Sequence, residues 1–194
     1  MTDDTRFPQL VSLAAHDLRT PLATVSGFAK TLARMGDLEE TSARYVGMIE
    51  AASDQLAELL DELGLVARIE GGRYEPVLRE VDTLELARTA AERLGEERIT
   101  VGGRGGTAQA DPEAIERGVA ALARCALRHG GLERVSVEAQ GPELEISPIE
   151  ANAAPVVLGE DLRDMGAAVA VRLVRAIGGS VELDGETLRV RLPS

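Results

Sequence analysis

Apolar residues recur every three or four positions over the first third of the chain, and this period is its strongest constraint on folding. The first segment shows the period at Val11, Ala14, Leu18, Pro21, Val25, Phe28, Leu32 and Met35. The second segment repeats it at Ile49, Ala52, Leu56, Leu59, Leu63 and Val66. Heptad spacing of this kind predicts two long amphipathic helices between residues 8 and 69.

The connection between these two segments predicts a helical hairpin. Gly36-Asp37 ends the first helix, and residues 39–42 supply acidic and capping residues for the second. Because the turn is short, the helices are expected to be antiparallel. Leu60 and Leu65 widen the apolar face beyond a two-residue seam, so two helices alone cannot bury it. We therefore expect a homodimer in which two hairpins form a four-helix bundle.

Beyond Gly71-Gly72 the period changes, and the remaining residues predict an α/β domain. The expected elements are a strand at 74–77, a helix at 83–94, a strand at 99–101, a helix from Asp111-Pro112 to 129, a hairpin of 135–139 with 144–146, a helix at 165–177 and a hairpin of 181–183 with 187–192. Glycines 102–106 match neither a P-loop nor a dinucleotide fingerprint, which favours a flexible turn. The prediction is a helical domain at 1–72 and, at 73–194, a mixed sheet with helices on one face.

Composition excludes several classes of function. The 194 residues are 44% hydrophobic and 28% charged, which is typical of a soluble globular protein, and the net charge of −12 disfavours nucleic acid or an anionic membrane as partner. No apolar run is long enough to span a bilayer and the first residues lack a basic start, so a cytoplasmic protein is expected. One cysteine and two histidines give little support for a disulfide framework, a zinc cluster or a Cys/His relay. Cys125 is expected to fill the core, and His129 to contact carbonyls at a helix end.

Residues 16–22 contain the candidate catalytic side chains of the chain. With Val11 and Leu18 at a positions, His16 falls at f and Thr20 at c, on the solvent side of the helix. Asp17 places a negative charge beside the imidazole, where it can favour one tautomer or accept a proton. Pro21 is expected to bend the helix, at a cost of about 3 kcal/mol, which is more readily explained by function than by packing.

The segment Ser12-Leu13-Ala14-Ala15-His16-Asp17-Leu18-Arg19-Thr20-Pro21-Leu22 resembles the phospho-acceptor box of bacterial sensor histidine kinases. The resemblance covers about residues 8–72, and the remainder resembles in outline the catalytic ATP-binding domain of that family. It implies that His16 carries a phosphoryl group, that Asp17 assists as a base or orienter, and that Thr20 positions water in any phosphatase reaction. For Arg19 we favour a solvated salt bridge, and we also group it with the partner-binding residues.

Three nucleotide-binding elements of that family are missing. The magnesium-binding Asn is expected on the helix that begins at Asp111, but the corresponding positions are Ala121 and Cys125, and Asn152 is the sole Asn in the chain. An Asp-x-Gly-x-Gly run is replaced by Ser-Pro-Ile-Glu-Ala-Asn at 147–152, and the glycine-rich lid is reduced to residues 165–168. Residues 169–181 and the closing Leu192-Pro193 still resemble the family. We therefore expect the ATP-binding fold without nucleotide chemistry, and no cofactor or metal held by the chain itself.

Three functions remain open. The favoured one is a dimeric histidine phosphotransferase in which His16 accepts a phosphoryl group from a receiver-domain aspartate and donates it to another, with Mg²⁺ supplied by the receiver. Arg19, Ala23, Thr24 and Gly27 would then form the partner-binding surface for receiver domains, and a hybrid histidine kinase is a further candidate partner. The alternatives are a divergent histidine kinase that still binds ATP, and a non-catalytic pseudokinase dimer that binds response regulators. Whether the chain is an enzyme is thus left open between phosphotransferase and kinase.

Overall fold

The computed structural model describes residues 6–95 and 97–194, which divide into two compact units. The first unit ends at Arg73 and the second is Tyr74–Ser194, so the division lies one residue from the predicted domain boundary. Within the described ranges, no helix has both the length and the apolar character required to cross a bilayer. The two units are described separately below.

The first unit consists of two long helices, α1 (Arg6–Met35) and α2 (Glu40–Glu70). Residues 36–39 join them, and Gly36 adopts a φ of +74°, which favours glycine. At the far end, the backbone N–H of Gly71 donates to the carbonyl of Ala67 and closes the last turn of α2. The predicted antiparallel hairpin is confirmed.

Small side chains form the contact between α1 and α2. The buried residues are Ala15 and Ala29 on α1 and Val46, Ser53, Gly64 and Ala67 on α2. The heptad positions predicted to line the seam are instead exposed, at Leu18, Val25, Phe28, Leu32 and Met35. Within one hairpin the predicted seam residues therefore do not form the α1–α2 contact, and they stay available for the predicted pairing with a second copy. The reason is physical: small residues let two helix backbones approach closely, and the bulky residues form a neighbouring stripe.

The bulky residues give the hairpin an apolar face. At about 100° per residue, this stripe on α1 lies roughly a quarter turn from the Ala15–Ala29 line. On α2 the matching exposed residues are Tyr45, Met48, Ile49, Leu56 and Leu59. Ion pairs cross from α1 to α2 on the other side of the hairpin, so both stripes share one face. We call these residues, with Leu18, Val25, Phe28, Leu32 and Met35, the apolar face.

The second unit packs helices against a mixed sheet. Its elements are β1 (Arg79–Asp82), α3 (Thr83–Leu94), β2 (Ile99–Gly105), β3 (Thr107–Ala110), α4 (Pro112–Gly130), β4 (Val135–Gly141), β5 (Glu143–Ser147), α5 (Ala154–Val157), α6 (Met165–Ala176), β6 (Ser180–Asp184) and β7 (Thr187–Arg191). The main sheet has the order β2-β4-β5-β7-β6, in which only β2–β4 is parallel, and β1 pairs separately with β3. The predicted helices and both predicted hairpins are confirmed.

Helix caps and burial on one side explain why the longer helices of the second unit could be predicted from the sequence. Asp111 caps α4 through the backbone N–H of Ala114, and Asp82 caps α3 in the same way. The core contains Leu86, Ile115, Leu122, Leu144, Ile146, Leu173 and Leu188, all nearly or fully buried. These residues come from one side of each helix and one face of the sheet, as the apolar period requires.

One strand prediction and one turn prediction are wrong, and the strand β3 was not predicted. Residues 74–77 form no strand, and β1 lies just after them at Arg79–Asp82. The glycines expected to form a flexible turn lie largely within β2. The glycines are required because β2 runs very close to β4. Gly103 has a φ of +93°, and a Cβ atom there would collide with the backbone of Ala139. A Cβ on Gly102 would lie 2.6 Å from the Glu138 carboxylate.

This close approach generates a stability prediction. Gly103→Ala should destabilise the second unit by roughly 3 kcal/mol or more, because backbone strain and overpacking add. Gly185→Ala is the matched control: its φ of +60° imposes strain, but a Cβ there meets nothing within 4 Å, so a cost of about 1 kcal/mol is expected. Urea unfolding followed by circular dichroism measures both. Equal costs for the two variants would contradict the close approach.

Candidate functional site

His16 is displayed on the surface of α1 by the packing of its neighbour. Ala15 is buried and faces Gly64 of α2, where a Cβ would lie 3.9 Å from the Ala15 Cβ. The next side chain along a helix points about 100° away, so His16 is directed to solvent and is 75% exposed. The expected display of His16 on the solvent side is what the structure shows.

Asp17 lies beside the imidazole, as the sequence indicated. The Nδ1 atom of His16 is 3.2 Å from Oδ1 of Asp17, and the Asp17 side chain is 66% exposed. When Nδ1 carries the proton, it donates to this carboxylate and leaves Nε2 with a free lone pair. The pair therefore favours one nitrogen as the nucleophile. Helix α1 continues through Pro21, and the bend expected there stays a prediction.

The predicted partner-binding residues share one side of α1 with His16. Thr20, Ala23, Thr24 and Gly27 follow His16 at spacings of 4, 7, 8 and 11, and all are exposed. We call these five residues the His16 face. The hydroxyl of Thr24 donates to the carbonyl of Thr20 at 3.1 Å, whereas a Cβ on Gly27 would meet nothing within 4 Å. Beyond His16 the His16 face therefore carries only small side chains, which leave space for a partner to dock.

Arg19 lies at the edge of this face and pairs across the hairpin. Its Nη2 atom donates to Oδ1 of Asp61 on α2, and both side chains are about half exposed. A second pair joins Lys30 Nζ to Asp54 Oδ1 at 3.4 Å. The salt-bridge interpretation of Arg19 is thus what the structure shows. Such exposed pairs contribute at most about 1 kcal/mol each, so they orient the two helices more than they stabilise them.

In the second unit, the positions where the resemblance expects magnesium ligands carry none. Ala121 is 7% exposed and Cys125 is fully buried on α4. Burial raises the pKa of the Cys125 thiol to about 12, with the nearby Asp164 carboxylate adding to the effect. Magnesium requires oxygen ligands, and these two positions offer a methyl group and a protonated thiol. The two residues therefore do not fit a magnesium–nucleotide group.

The segment after β5 is also apolar where the family has a polar loop. Ile149 is 2% exposed, and Val156 and Val157 of α5 are fully buried. These side chains belong to the core of the unit. A run that would contact adenine in the family is here part of the hydrophobic packing.

The structure brings together three residues that sequence reasoning treated singly or not at all. Cys125, His129 and Asp164 each place one potential ligand atom within 4.8 Å of the other two. Cys125 and His129 are four residues apart on α4, a spacing that could have signalled a shared face, whereas Asp164 is distant in sequence. Only the fold shows this cluster.

Comparison with known proteins assigns the first unit. Residues 9–72 match the family described as the His Kinase A (phospho-acceptor) domain. The helical unit resembles a His Kinase A domain. His16 and the whole His16 face lie within the matched residues.

Relatives of the chain include sensor histidine kinases. Over 70 residues it is 34% identical to the probable sensor histidine kinase TcrY of Mycobacterium tuberculosis, which covers 36% of this chain and 15% of TcrY. It is 28% identical over 216 residues to the histidine protein kinase DivJ of Caulobacter vibrioides, covering 92% of this chain and 36% of DivJ. The chain thus spans only a small part of the length of the first of these relatives and about a third of the other. The matches support a relationship to the sensor histidine kinase family.

Solved structures confirm the predicted fold class. ShkA in complex with AMPPNP superposes with a TM-score of 0.68 at 23% identity, over 94% of this chain and 44% of that one. The Acinetobacter baumannii histidine kinase AdeS gives a TM-score of 0.60 at 14% identity, over 92% of this chain and 97% of that one. At these identities the likeness concerns the fold: a His Kinase A hairpin followed by an α/β unit that resembles a histidine kinase ATP-binding domain.

The burial of Cys125 predicts an unreactive thiol. In the folded protein at pH 8, a disulfide reagent should modify Cys125 at least about a hundredfold more slowly than in urea, because the thiol is buried and its pKa is raised. The rate of release of the coloured thiolate measures the reaction, and the unfolded protein is its own control. Rapid modification of the folded protein would contradict the buried position.

Proposed function

We propose that this chain is a dimeric histidine phosphotransfer protein of a two-component phosphorelay. The observation that carries the proposal is the exposed His16, whose Nδ1 lies 3.2 Å from the Asp17 carboxylate on a His Kinase A hairpin. The absence of oxygen ligands at Ala121 and Cys125 favours a phosphoryl source other than ATP on this chain. The proposed source is a phosphorylated aspartate of a receiver domain.

The transfer step follows from the geometry of the pair. Nε2 of His16 attacks the phosphorus of the aspartyl phosphate, forming an N–P bond as the P–O bond to the carboxylate breaks. The electron pair of that bond remains on the receiver aspartate, whose pocket and Mg²⁺ accept the charge. The imidazole becomes positively charged, and the Asp17 carboxylate beside Nδ1 stabilises that charge. The reverse step passes the phosphoryl group to a second receiver.

The His16 face provides the surface on which a receiver domain would dock. Ala23 and Gly27 present little bulk next to His16, so a partner helix can approach closely. Thr20, one turn after His16, is placed to orient water near the phosphoryl group in a hydrolysis reaction. In this proposal Arg19 holds α2 in position through Asp61 and contributes its exposed half to the docked partner.

The apolar face supports the homodimer. Its bulky side chains range from Leu59 at 42% exposed to Phe28 at 69% exposed within one hairpin. Contiguous apolar surface of this kind marks an interface. A second hairpin laid on it would bury these residues and leave both His16 faces outward, as phosphotransfer requires.

A divergent ATP-dependent histidine kinase is the second candidate. The alignment with DivJ extends over 92% of this chain and therefore includes the α/β unit, not the hairpin alone. A kinase would need nucleotide ligands other than Ala121 and Cys125. A pseudokinase that binds response regulators without transfer is the third possibility, and the experiment below separates all three.

The decisive measurement is label transfer. Radiolabelled phosphate is supplied first as ATP with Mg²⁺ and then on the aspartate of each receiver domain encoded in the same genome. We expect label only from a phosphorylated receiver, complete loss in His16→Ala, and transfer slowed about tenfold to a hundredfold in Asp17→Asn. His129→Gln is the matched control, because His129 is the only other histidine in the sequence and its loss should leave labelling intact.

Each other outcome supports an alternative. Label on His16 from ATP alone would identify a kinase. No label from any receiver, together with wild-type receiver binding by His16→Ala, would identify a pseudokinase. Label that survives in His16→Ala would place the acceptor elsewhere and contradict the proposal.

The dimer is tested separately. Phe28→Asp should convert the protein to a monomer of 20.5 kDa in light scattering, because a buried unpaired charge is strongly unfavourable. Ala51→Asp is the control, since Ala51 is exposed on α2 away from the apolar face and this variant should remain dimeric. A wild-type monomer would contradict the four-helix bundle.

A further inference from the structure

Cys125, His129 and Asp164 form a compact cluster at the junction of two helices in the second unit. The two α4 residues occupy successive turns of one helix face, and Asp164 immediately precedes α6. Their potential ligand atoms all lie within 4.8 Å of one another, and Nε2 of His129 is 3.5 Å from Oδ2 of Asp164. A tetrahedral ion with bonds of about 2.0 to 2.3 Å separates its ligands by roughly 3.3 to 3.8 Å. The cluster is therefore within small side-chain movements of a coordination sphere.

Oδ2 of Asp164 lies 3.5 Å from Nε2 of His129, but this nitrogen lacks the hydrogen bond that a buried nitrogen normally makes. The Nε2 atom is buried and makes no hydrogen bond with any described residue, and the whole side chain is only 18% exposed. A buried nitrogen left without a hydrogen bond is unfavourable. A metal ion bound to the Nε2 lone pair would satisfy it.

The carboxylate of Asp164 is already oriented for such a role. Its Oδ1 accepts from the backbone N–H of Ala167 at 3.0 Å and caps α6. This bond leaves Oδ2 directed toward His129. A ligand held by a hydrogen bond through its other oxygen is the usual arrangement in protein metal sites.

We propose that Cys125, His129 and Asp164 bind a zinc-type divalent cation, with a water molecule as the fourth ligand. Sulfur, imidazole nitrogen and carboxylate oxygen together are the ligand set of zinc, whereas magnesium takes oxygen ligands. Thiolate and carboxylate carry two negative charges, which the ion neutralises in a mostly buried site. One cysteine and two histidines in the sequence gave little support for a metal site, and Asp164 is distant in sequence from Cys125 and His129.

The ion would join the end of α4 to the start of α6. Residues 130–163 lie between His129 and Asp164 in sequence, so the ion closes a long loop through the second unit. The proposed role is structural, and it is independent of phosphotransfer at His16. The α/β unit would thus hold a cation of a different class, through ligands different from those of a magnesium–nucleotide site.

Cobalt binding tests the proposal. The protein carries His16→Ala, so that His129 is the only histidine left, and it is titrated with Co²⁺ as a spectroscopic substitute for Zn²⁺. We expect one equivalent to produce a thiolate-to-cobalt band in the near ultraviolet and the visible bands of a tetrahedral ion. A hundredfold excess of Mg²⁺ should leave these bands unchanged, and Zn²⁺ should displace them.

Three further variants make the assignment specific. Cys125→Ser should abolish the thiolate band, and His129→Gln should abolish the tetrahedral spectrum. Asp164→Asn should weaken Co²⁺ binding at least tenfold. Asp164→Asn is the most informative variant, because an asparagine oxygen still caps α6 and the fold is preserved. Circular dichroism confirms folding in each case.

A thermal measurement provides the second readout. Saturating Zn²⁺ should raise the unfolding midpoint of the second unit by about 5 °C or more, and this shift should vanish in His129→Gln. No cobalt band and no thermal shift would overturn the proposal. A band or a shift that persists unchanged in Cys125→Ser and His129→Gln would overturn it too, because the ion would then bind elsewhere.

Discussion

The close contact of α1 with α2 through small side chains is the constraint on which the His Kinase A hairpin depends. Ala15, the residue before His16, faces Gly64, and Ala29 is buried further along the same line, with half-buried Leu22 between them. The exposed bulky residues lie on one flank of this line, and the histidine lies on the other. This packing therefore leaves an apolar face on one side of the hairpin and the exposed His16 on the other. Arg19 and Lys30 hold the polar side of the hairpin together through Asp61 and Asp54.

Local signals in the sequence predicted most of the fold. Helices α3, α4 and α6 follow from apolar period and caps such as Asp111, which act within a few residues. The glycine strand β2 could not be predicted this way, since glycine indicates a turn unless a neighbouring strand is known to approach closely. That neighbour, β4, lies more than thirty residues later. The residues of the α1–α2 contact could not be identified from the sequence, because heptad spacing identifies large residues, and Ala15 and Gly64 give no such signal.

The two candidate sites also differ in how far they could be predicted from the sequence. His16 and Asp17 are adjacent in sequence, so their geometry is fixed by one helix and could be anticipated. Cys125 and His129 share a helix, but Asp164 reaches them only through the packing of α6 against α4. Two residues four apart are common on any helix face. Asp164 and the buried Nε2 of His129, which makes no hydrogen bond with a described residue, are the features that indicate a metal site. Both depend on tertiary structure.

The exposed apolar face also couples the folding of the hairpin to protein concentration. A two-helix unit whose fully buried residues are alanine, serine and glycine apart from Val46 buries little hydrophobic surface by itself. Under the proposed pairing, much of its free energy of unfolding comes from the second copy, so mass action sets the folded fraction. The α/β unit has its own core, so its folding would not depend on this pairing. At low protein concentration the hairpin that carries His16 would then unfold before the α/β unit does.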